Sequence, residues 1–281
     1  MTVDPGLMRL MRLELENQVT GNRAFIAGDP AISERYGTSF ATVAGLSCSS
    51  CAVWDYPLFN RVLGAGVLAP LDDRALAEIV AHYAAIGRAL NVEVYEGITP
   101  PSVLAALARG GFVSAGHGLE AHVLETDHEV APRATETRAA TLRKVAPDEY
   151  THFGELVRDG FDMRDDATLG TFFVDLTVAS LRVLGNASTA FIASIDGQDA
   201  GTGQLVLSEH VAGCYSGSVL TAYRGRGIQH ALIAARVREG LARGKRIFIS
   251  QTDPDSPSGH NLHDLGFRTL YRARWFTRPL S

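Results

Sequence analysis

The spacing of hydrophobic and polar residues alternates between helical and extended periods along the first half of the chain. Leu7, Met11 and Leu15 stand four residues apart, which predicts an amphipathic helix over residues 6–18. Two further helices, the second with prolines in its first turn and a glycine stop, are predicted over residues 72–90 and 99–111. Short apolar or alternating runs predict strands over residues 22–29, 36–45, 60–68, 91–97 and 113–125. This alternation is typical of an α/β protein.

The second half repeats the order of elements that ends the first. The pattern predicts a helical region over residues 147–185, three antiparallel strands over 189–220 and a helix from 228 to about 244. A strand, a short helix that ends at Gly266-Phe267 and a last strand follow, much as Gly111-Phe112 ends a helix in the first half. We interpret this as a diverged internal duplication, with chance recurrence in an α/β protein as the alternative.

A polar segment separates the two halves. Residues 127–137 contain a proline and show no periodicity, which indicates a linker. The chain has 281 residues, enough for two domains of ordinary size. We therefore expect domains at residues 1–130 and 138–281.

Composition and charge exclude several classes of protein. Hydrophobic residues make up 46% of the chain, which is enough for buried cores. The net charge of −5 argues against a general nucleic-acid binder or a protein of anionic membrane surfaces. Three cysteines, no recognisable signal peptide and no apolar run near 18 residues lead us to expect a cytoplasmic protein without a disulfide framework.

The strongest chemical signal is the stretch TAYRGRGIQHALIAARVREG at residues 221–240. Its glycine turn runs from Arg224 to Gln229 and leads directly into an Ala- and Leu-rich helix. A helix N-terminus has unpaired backbone N–H groups and partial positive charge, so it favours a bound anion such as a diphosphate. The Lys-Ser or Lys-Thr of a P-loop is absent, and so are the three glycines of a dinucleotide-binding turn. A plain turn with solvated arginines is the alternative.

These residues and their flanks resemble the GCN5-related N-acetyltransferase (GNAT) family. The family signature, Arg/Gln-x-x-Gly-x-Gly/Ala, reads here from Arg224 to Gln229, with glutamine in place of the last small residue. The resemblance covers about residues 138–281, and the first half resembles a degenerate copy without the cofactor motif. It implies two tandem acyl-CoA N-acyltransferase-like domains of α/β (α+β) class. Each would be a mixed, mainly antiparallel twisted sheet flanked by helices.

The resemblance implies acetyl-CoA as co-substrate and an amine of an unidentified small molecule or peptide as acceptor. Backbone N–H groups of residues 225–230 would hold the pyrophosphate, and the pantetheine arm would lie along the strand that ends at Leu220. A bulge in the segment Ser216–Ser218 would open that strand. The implied cofactor contacts are Val219, Leu220, Thr221, Arg224, Gly225, Arg226, Gly227, Ile228, Gln229, His230 and Asn261.

The catalytic residues are less clear, because the tyrosine that the family often uses as an acid is replaced here by Leu262. Ser258 and Tyr271, with Asn261 nearby, are the polar candidates for that role. Glu209 is the candidate base, with Asp253 and Tyr215 as alternatives. A non-catalytic acyl-CoA-binding or regulatory protein of the same fold is the alternative function.

Other features weigh less. Cys48 and Cys51 have C-x-x-C spacing but no second pair, and His260 and His263 have no third ligand, so no metal site is expected. The acidic segment of residues 162–168 lies where family members have a mobile substrate loop. We expect no nucleic-acid or membrane partner, and both a monomer and a homodimer remain open.

Overall fold

The structure is a computed structural model that describes residues 3–126 and 140–278. It divides into two compact units. Unit 1 comprises Met1–Ala121 with Leu270–Ser281, and unit 2 comprises His122–Thr269. The expected domains, 1–130 and 138–281, follow the chain, whereas the last strand belongs to unit 1. The linker predicted at residues 127–137 lies outside the described residues.

Unit 1 contains four helices and the strands of a mixed sheet. Its helices are α1 (Pro5–Ala27), α2 (Pro30–Tyr36), α3 (Asp73–Ile86) and α4 (Pro101–Arg109). Its strands are β1 (Ser39–Val43), β2 (Leu46–Ser50), β3 (Arg61–Leu63), β4 (Leu90–Tyr95) and most of β5 (Val113–Glu125) and of the last strand of the chain, β11 (Arg268–Arg278), since the boundary falls after Ala121 in β5 and before Leu270 in β11. They are ordered β1-β2-β3-β4-β11-β5. The side chains of Asp4, Asp29 and Asp72 cap α1, α2 and α3.

Two predictions for unit 1 are wrong. Residues 22–29 do not form a strand, because α1 continues to Ala27 and buries Ala24 and Ile26 on its inner face. A short apolar run cannot distinguish a buried helix segment from a strand. The strand predicted at residues 60–68 is only three residues long, because Gly64 takes a positive φ of 86° and ends the extended conformation.

A buried polar network joins α1, β3, β4 and β11 within unit 1. The Tyr271 hydroxyl donates to Glu14 at 2.6 Å, and the Gln18 amide donates to Glu14 at 2.8 Å. Arg61 donates to Gln18 at 3.1 Å and forms an ion pair with Glu93, in which both side chains are 2% exposed. Burial raises the pKa of Glu93, while the neighbouring Arg61 acts to lower it. The network therefore holds two carboxylates and a guanidinium in the interior of unit 1.

Unit 2 has a mainly antiparallel sheet with helices on it. Its strands are ordered β10-β9-β8-β7-β6, with β6 (Ala140–Lys144), β7 (Ser188–Ile195), β8 (Gln198–Leu207), β9 (Val211–Val219) and β10 (Ile247–Thr252). Among the pairings described within this order, β9 with β10 is parallel and the others are antiparallel. Its helices are α5 (Tyr150–Gly160), α6 (Ala167–Leu184), α7 (Ile228–Ala242) and α8 (Pro257–Asp264). The predicted helical region, the three antiparallel strands, and the order of the later elements agree with this structure.

Helix α7 packs on β8 and β9 and forms much of the core of unit 2. Ile233 and Val237 on α7 contact Leu205, Phe248 and other buried residues of the sheet and of α8. In the described part of the chain, one segment, Ala167–Ala187, is long and apolar enough to cross a membrane. Half of its apolar 18-residue window is buried inside the protein, and the core helix of a soluble protein passes the same test of length and composition.

The Arg61–Glu93 pair leads to a stability prediction. Glu93→Gln removes the ion-pair partner of the buried Arg61 guanidinium, so we expect the free energy of unfolding to fall by about 3–5 kcal/mol. The double variant Arg61→Met/Glu93→Leu removes both charges and should recover most of that loss. Urea unfolding of the full chain, followed by circular dichroism, measures both.

The matched control is the exposed ion pair of unit 1 between Arg109 and Asp73, whose side chains are 61% and 67% exposed. Arg109→Met should change stability by less than about 1 kcal/mol. An equal loss in Arg109→Met and Glu93→Gln would show that burial of the charge is not what matters.

Candidate functional site

The candidate site begins where two parallel strands separate. β10 pairs with β9 from Ile247 opposite Val211 to Ser250 opposite Cys214. β9 then continues to Val219 and β10 to Thr252, without further pairing recorded between these two strands. The backbone of β9 beyond Cys214 is therefore open on the side of β10.

A bulge lies at the point of separation. On β8, Thr202 and Gln204 stand opposite Ser218 and Tyr215, so β9 has one more residue than β8 over this interval. Ser216 takes a positive φ of 48°, which is rare for a residue with a side chain. The bulge predicted from the Ser-Gly-Ser segment is confirmed, and it turns the end of β9 away from its regular course.

A cleft of about 540 Å³ lies beside the bulged part of β9. Its wall is built from the end of α5, the end of β9, the glycine turn, the start of α7 and the start of α8. The lining residues are Gly160, Phe161, Gly217, Ser218, Val219, Tyr223, Arg224, Gly225, Gly227, Ile228, Gln229, His230, Pro257, Ser258 and Asn261. Most of the cofactor contacts predicted from the sequence are thus brought together.

The glycine turn presents unpaired backbone donors to this cleft. Gly225 and Gly227 take φ values of 76° and 72°, which side-chain-bearing residues rarely adopt. Helix α7 starts at Ile228 without a side-chain cap, and its first recorded backbone hydrogen bond runs from Ala231 to Gly227. For the N–H groups of residues 225–230, no acceptor is recorded in the described parts of the chain. This geometry suits an anion.

The arginines of the turn do not point free charges into the cleft. Arg224 donates to the backbone oxygens of Val219 and Gly160, each at 3.2 Å, and to the carboxylate of Asp162 at 3.0 Å. Arg224 also lowers the pKa of Asp162. Arg226 lies over the ring of Tyr223 at 5.4 Å. Arg224 therefore fastens the first residue of the acidic 162–168 segment to the turn.

Gln229 departs from the family signature, and its side chain packs against Gly217. A Cβ atom on Gly217 would lie 2.9 Å from the Gln229 Nε2 atom, so the side chain fits because residue 217 has none. The Gln229 Oε1 atom is buried and has no hydrogen-bond partner in the described structure. A buried amide oxygen without a partner is costly, so the packing of the chain alone does not account for it.

The start of helix α8 forms another part of the wall, where Ser258 and Asn261 line the cleft. The His230 Nε2 atom on α7 lies 3.2 Å from the Asp264 Oδ2 atom of α8. Ser258 is thus the one of the three proposed catalytic residues that the structure places at the cleft.

The other two catalytic candidates lie elsewhere. Tyr271 belongs to unit 1, where its hydroxyl is buried and bonded to Glu14. Glu209 stands in the turn between β8 and β9, with 87% of its side chain exposed. The part of β9 from Val211 to Ser216 separates this turn from the bulge by roughly 17 Å at about 3.3 Å per residue. Neither residue lines the cleft.

Three of the predicted cofactor contacts also lie outside the cleft lining. The N–H group of Leu220 donates to Ala200 at 2.9 Å, and the Thr221 hydroxyl donates to Asp162 at 3.1 Å. The Arg226 side chain packs on Tyr223. These groups are engaged within the protein, although the backbone N–H of Arg226 belongs to the turn.

Sequence reasoning missed the contribution of α5. Gly160 and Phe161 line the cleft, and Gly160 has no room for a side chain because a Cβ atom would lie 2.2 Å from Ser218 Oγ. A glycine that ends a helix gives no separate signal of such a contact. Cys48 and Cys51 lie in unit 1 as buried free thiols. Burial raises the pKa of Cys48 to about 12, so it stays protonated.

Comparison with known proteins agrees with this geometry. Residues 155–267 match the model of the Acetyltransferase (GNAT) family, whereas comparison with curated proteins gives no match. A GCN5-related N-acetyltransferase from Kribbella flavida is 16% identical, with a TM-score of 0.64 over 96% of each chain. A tandem GNAT protein from the clavulanic acid biosynthesis pathway is 17% identical, with a TM-score of 0.65 over 90% of this chain and 89% of that chain.

A third solved structure extends the likeness. A GCN5-related N-acetyltransferase from Sphaerobacter thermophilus is 16% identical, with a TM-score of 0.58 over 86% of this chain and 75% of that chain. At these identities, the likeness shows the fold. Residues 155–267 match the GNAT family model, and the chain as a whole has a fold similar to that of the tandem GNAT protein.

The contact between Gly217 and Gln229 is testable by a double-mutant cycle. Gly217→Ala places a Cβ atom against the Gln229 amide, so we expect a loss of about 1–3 kcal/mol in the free energy of unfolding. Gln229→Ala removes the obstructing amide and should relieve part of that loss. The coupling energy between the two substitutions, from urea unfolding, should exceed about 0.5 kcal/mol.

Gly225→Ala is the matched control, since no atom lies within 4 Å of the added Cβ atom. Its effect should add to that of Gln229→Ala without coupling. Coupling of equal size at Gly225 and Gly217 would contradict the packing described here.

Proposed function

We propose that the protein is an N-acetyltransferase that moves an acetyl group from acetyl-CoA to an amine of a small molecule or peptide. The observation that carries this proposal is the joining of three features in one cleft. They are a turn with unpaired N–H groups, an opened strand end and a helix α8 that supplies polar side chains. A GNAT domain over the same residues supports acyl transfer. We also propose, from the sequence, that the protein acts in the cytoplasm.

The cleft fits the parts of acetyl-CoA. The N–H groups of residues 225–230 would hold the pyrophosphate at the start of α7. The open side of β9 at Ser218 and Val219 would bind the pantetheine arm as an added strand. The amides of the pantetheine arm offer N–H donors. Gln229 Oε1 is a buried acceptor for which no donor is recorded within the described chain. A volume of about 540 Å³ accommodates this arm.

The chain's own groups would orient the acceptor amine, whose proton must also be removed. When bound, acetyl-CoA supplies an activated acyl thioester. The acceptor amine must be neutral to attack, so a base or an ordered water takes its proton. The residues that line the cleft include no carboxylate, and His230 is bonded to Asp264. We therefore propose that water removes this proton, and that Ser258 is the polar group at the acceptor end.

A second candidate function follows from the same observations. The tyrosine position of the family holds Leu262, which is 2% exposed and packs in the core of unit 2. Without that acid, and without a carboxylate in the lining, the same cleft would also suit a protein that binds acyl-CoA as an effector.

Binding of acetyl-CoA is predicted to depend on charge at residue 225. Asn and Asp tolerate positive φ better than other side chains, so Gly225→Asn and Gly225→Asp should both fold. The aspartate places a negative charge at the proposed pyrophosphate site, and we expect it to weaken acetyl-CoA binding about tenfold or more relative to the asparagine. Isothermal titration calorimetry measures the two dissociation constants.

High salt should reduce the difference between the dissociation constants of the aspartate and asparagine variants, because salt screens the repulsion between the introduced carboxylate and the pyrophosphate. Wild-type protein should gain thermal stability with acetyl-CoA, by about 2.7 kcal/mol at a hundred times the dissociation constant. Equal affinity of the aspartate and asparagine variants would place the pyrophosphate elsewhere. No stabilisation of the wild type at millimolar acetyl-CoA would refute acyl-CoA binding altogether.

The enzyme and the effector-binding protein differ in turnover. We expect free thiol to be released from acetyl-CoA in the presence of at least one member of a panel of primary amines. The Ser258→Ala variant should bind acetyl-CoA as tightly as wild type and release thiol at least tenfold more slowly. Glu209→Ala, at the far end of β9, is the control and should leave the rate unchanged. Tight binding without thiol release across the panel would favour the effector-binding protein.

A further inference from the structure

Unit 2 contains a buried positive charge with no acidic partner. Arg236 lies on α7, is 2% exposed and is among the largest fully buried side chains of the protein. Its guanidinium donates to the backbone oxygens of Leu232 at 3.1 Å and Tyr215 at 3.2 Å. No ion pair of Arg236 is recorded in the described chain, unlike Arg61, whose buried charge has Glu93.

The guanidinium lies directly behind the bulge. A Cβ atom on Gly203 of β8 would lie 2.9 Å from Arg236 Nε, and one on Gly217 of β9 would lie 3.3 Å from Nη2. Gly217 also lines the cleft. A single glycine backbone therefore separates the positive charge from the space beside β9.

Such a charge is expensive to keep. Removing a guanidinium from water carries a large desolvation cost, and a methionine of similar length would fill the same space without it. Burial lowers the pKa of Arg236, but an arginine keeps its proton at ordinary pH. Two backbone oxygens satisfy part of its hydrogen-bonding capacity and none of its charge. Packing alone does not require an arginine at this position.

We propose that Arg236 is a positioning residue for acyl transfer, whose charge acts through Gly217 on negative charge that forms beside β9. This inference rests on the proposed function. In the reaction, the amine nitrogen forms a bond to the acyl carbon and the carbon–sulfur bond breaks. The electron pair leaves on the CoA sulfur, the amine proton passes to water, and the thiolate takes a proton from solvent.

The charged side chains that line the cleft are already engaged with carboxylates. Among the residues that line the cleft, the titratable or charged side chains are Tyr223, Arg224 and His230. Arg224 is engaged with Asp162, and His230 lies against Asp264. In a low-dielectric interior a fixed charge has a long reach, so Arg236 stabilises the departing sulfur without touching it.

In the described chain, no carboxylate is recorded as acting on the charge of Arg236. Helix α7 packs on β6, β7, β8, β9 and α8. Of the groups on these elements, Cys214 on β9 is the one recorded as acting on the charge of Arg236. Burial raises the pKa of Cys214, so the thiol stays neutral. The carboxylates of Asp199 on β8 and Glu239 on α7 have their own cations, Arg143 and Lys144.

The experiment measures the pKa of the thiol of bound coenzyme A, from the ultraviolet absorbance of its thiolate against pH. A free thiol has a pKa of about 8.5. In the wild-type complex we expect a value at least one unit lower. Arg236→Lys keeps the charge and should keep most of the shift. Arg236→Met should return the thiol to the solution value and slow thiol release about tenfold or more.

The control is Arg238→Met, which removes an exposed arginine two residues further along the same helix. It should leave the thiol pKa unchanged. A wild-type complex with an ordinary thiol pKa overturns the inference whether or not the Arg236 variants fold, and so does a lowered pKa that persists in Arg236→Met. Failure of coenzyme A to bind wild-type protein at all instead refutes the proposed function.

Discussion

The separation of β9 from β10 after Cys214 is the constraint on which the site depends. Parallel strands that stayed paired would cover the N–H and C=O groups at the end of β9, and no cleft would form. The bulge at Ser216 and Gly217 takes up the extra residue and ends the regular ladder. The chain then leaves β9 and turns into α7 through two glycines. Strand end, turn and helix start therefore face one space.

Around this bulge, glycines lie against large polar side chains. Gly203 and Gly217 leave the room that the Arg236 guanidinium occupies, and Gly217 also admits the Gln229 amide. The glutamine that breaks the family signature thus has a structural counterpart on another element. If residue 217 carried even a methyl group, the Arg236 and Gln229 side chains would have to shift. The wall of the cleft is a glycine backbone supported by polar side chains.

The sequence predicted well what depends on local patterns. The glycine turn, helix α7 and the antiparallel strands follow from residues that are neighbours along the chain. It failed where distant residues decide the outcome. Tyr271 is a candidate acid by sequence, but its hydroxyl is hydrogen-bonded to Glu14, 257 residues away along the chain. The strand expected at residues 22–29 is helical, because packing of Ala24 and Ile26 extends α1.

The same limit explains why the sequence does not distinguish Arg236 from a solvated helix residue. In an Ala- and Leu-rich helix an arginine is ordinarily a solvated residue, and nothing in the sequence shows that two glycines on separate strands make room for it. The apolar Leu262 removes the acid that the fold usually offers, and its burial beside Phe248 shows that this position belongs to the core. In the reaction that we propose, negative charge on the departing sulfur would be stabilised by the field of the protein. Arg236 is a buried cation behind the wall of the cleft for which no counter-charge is recorded in the described chain, so the proposal gives the loss of the acid and the burial of the arginine one common explanation.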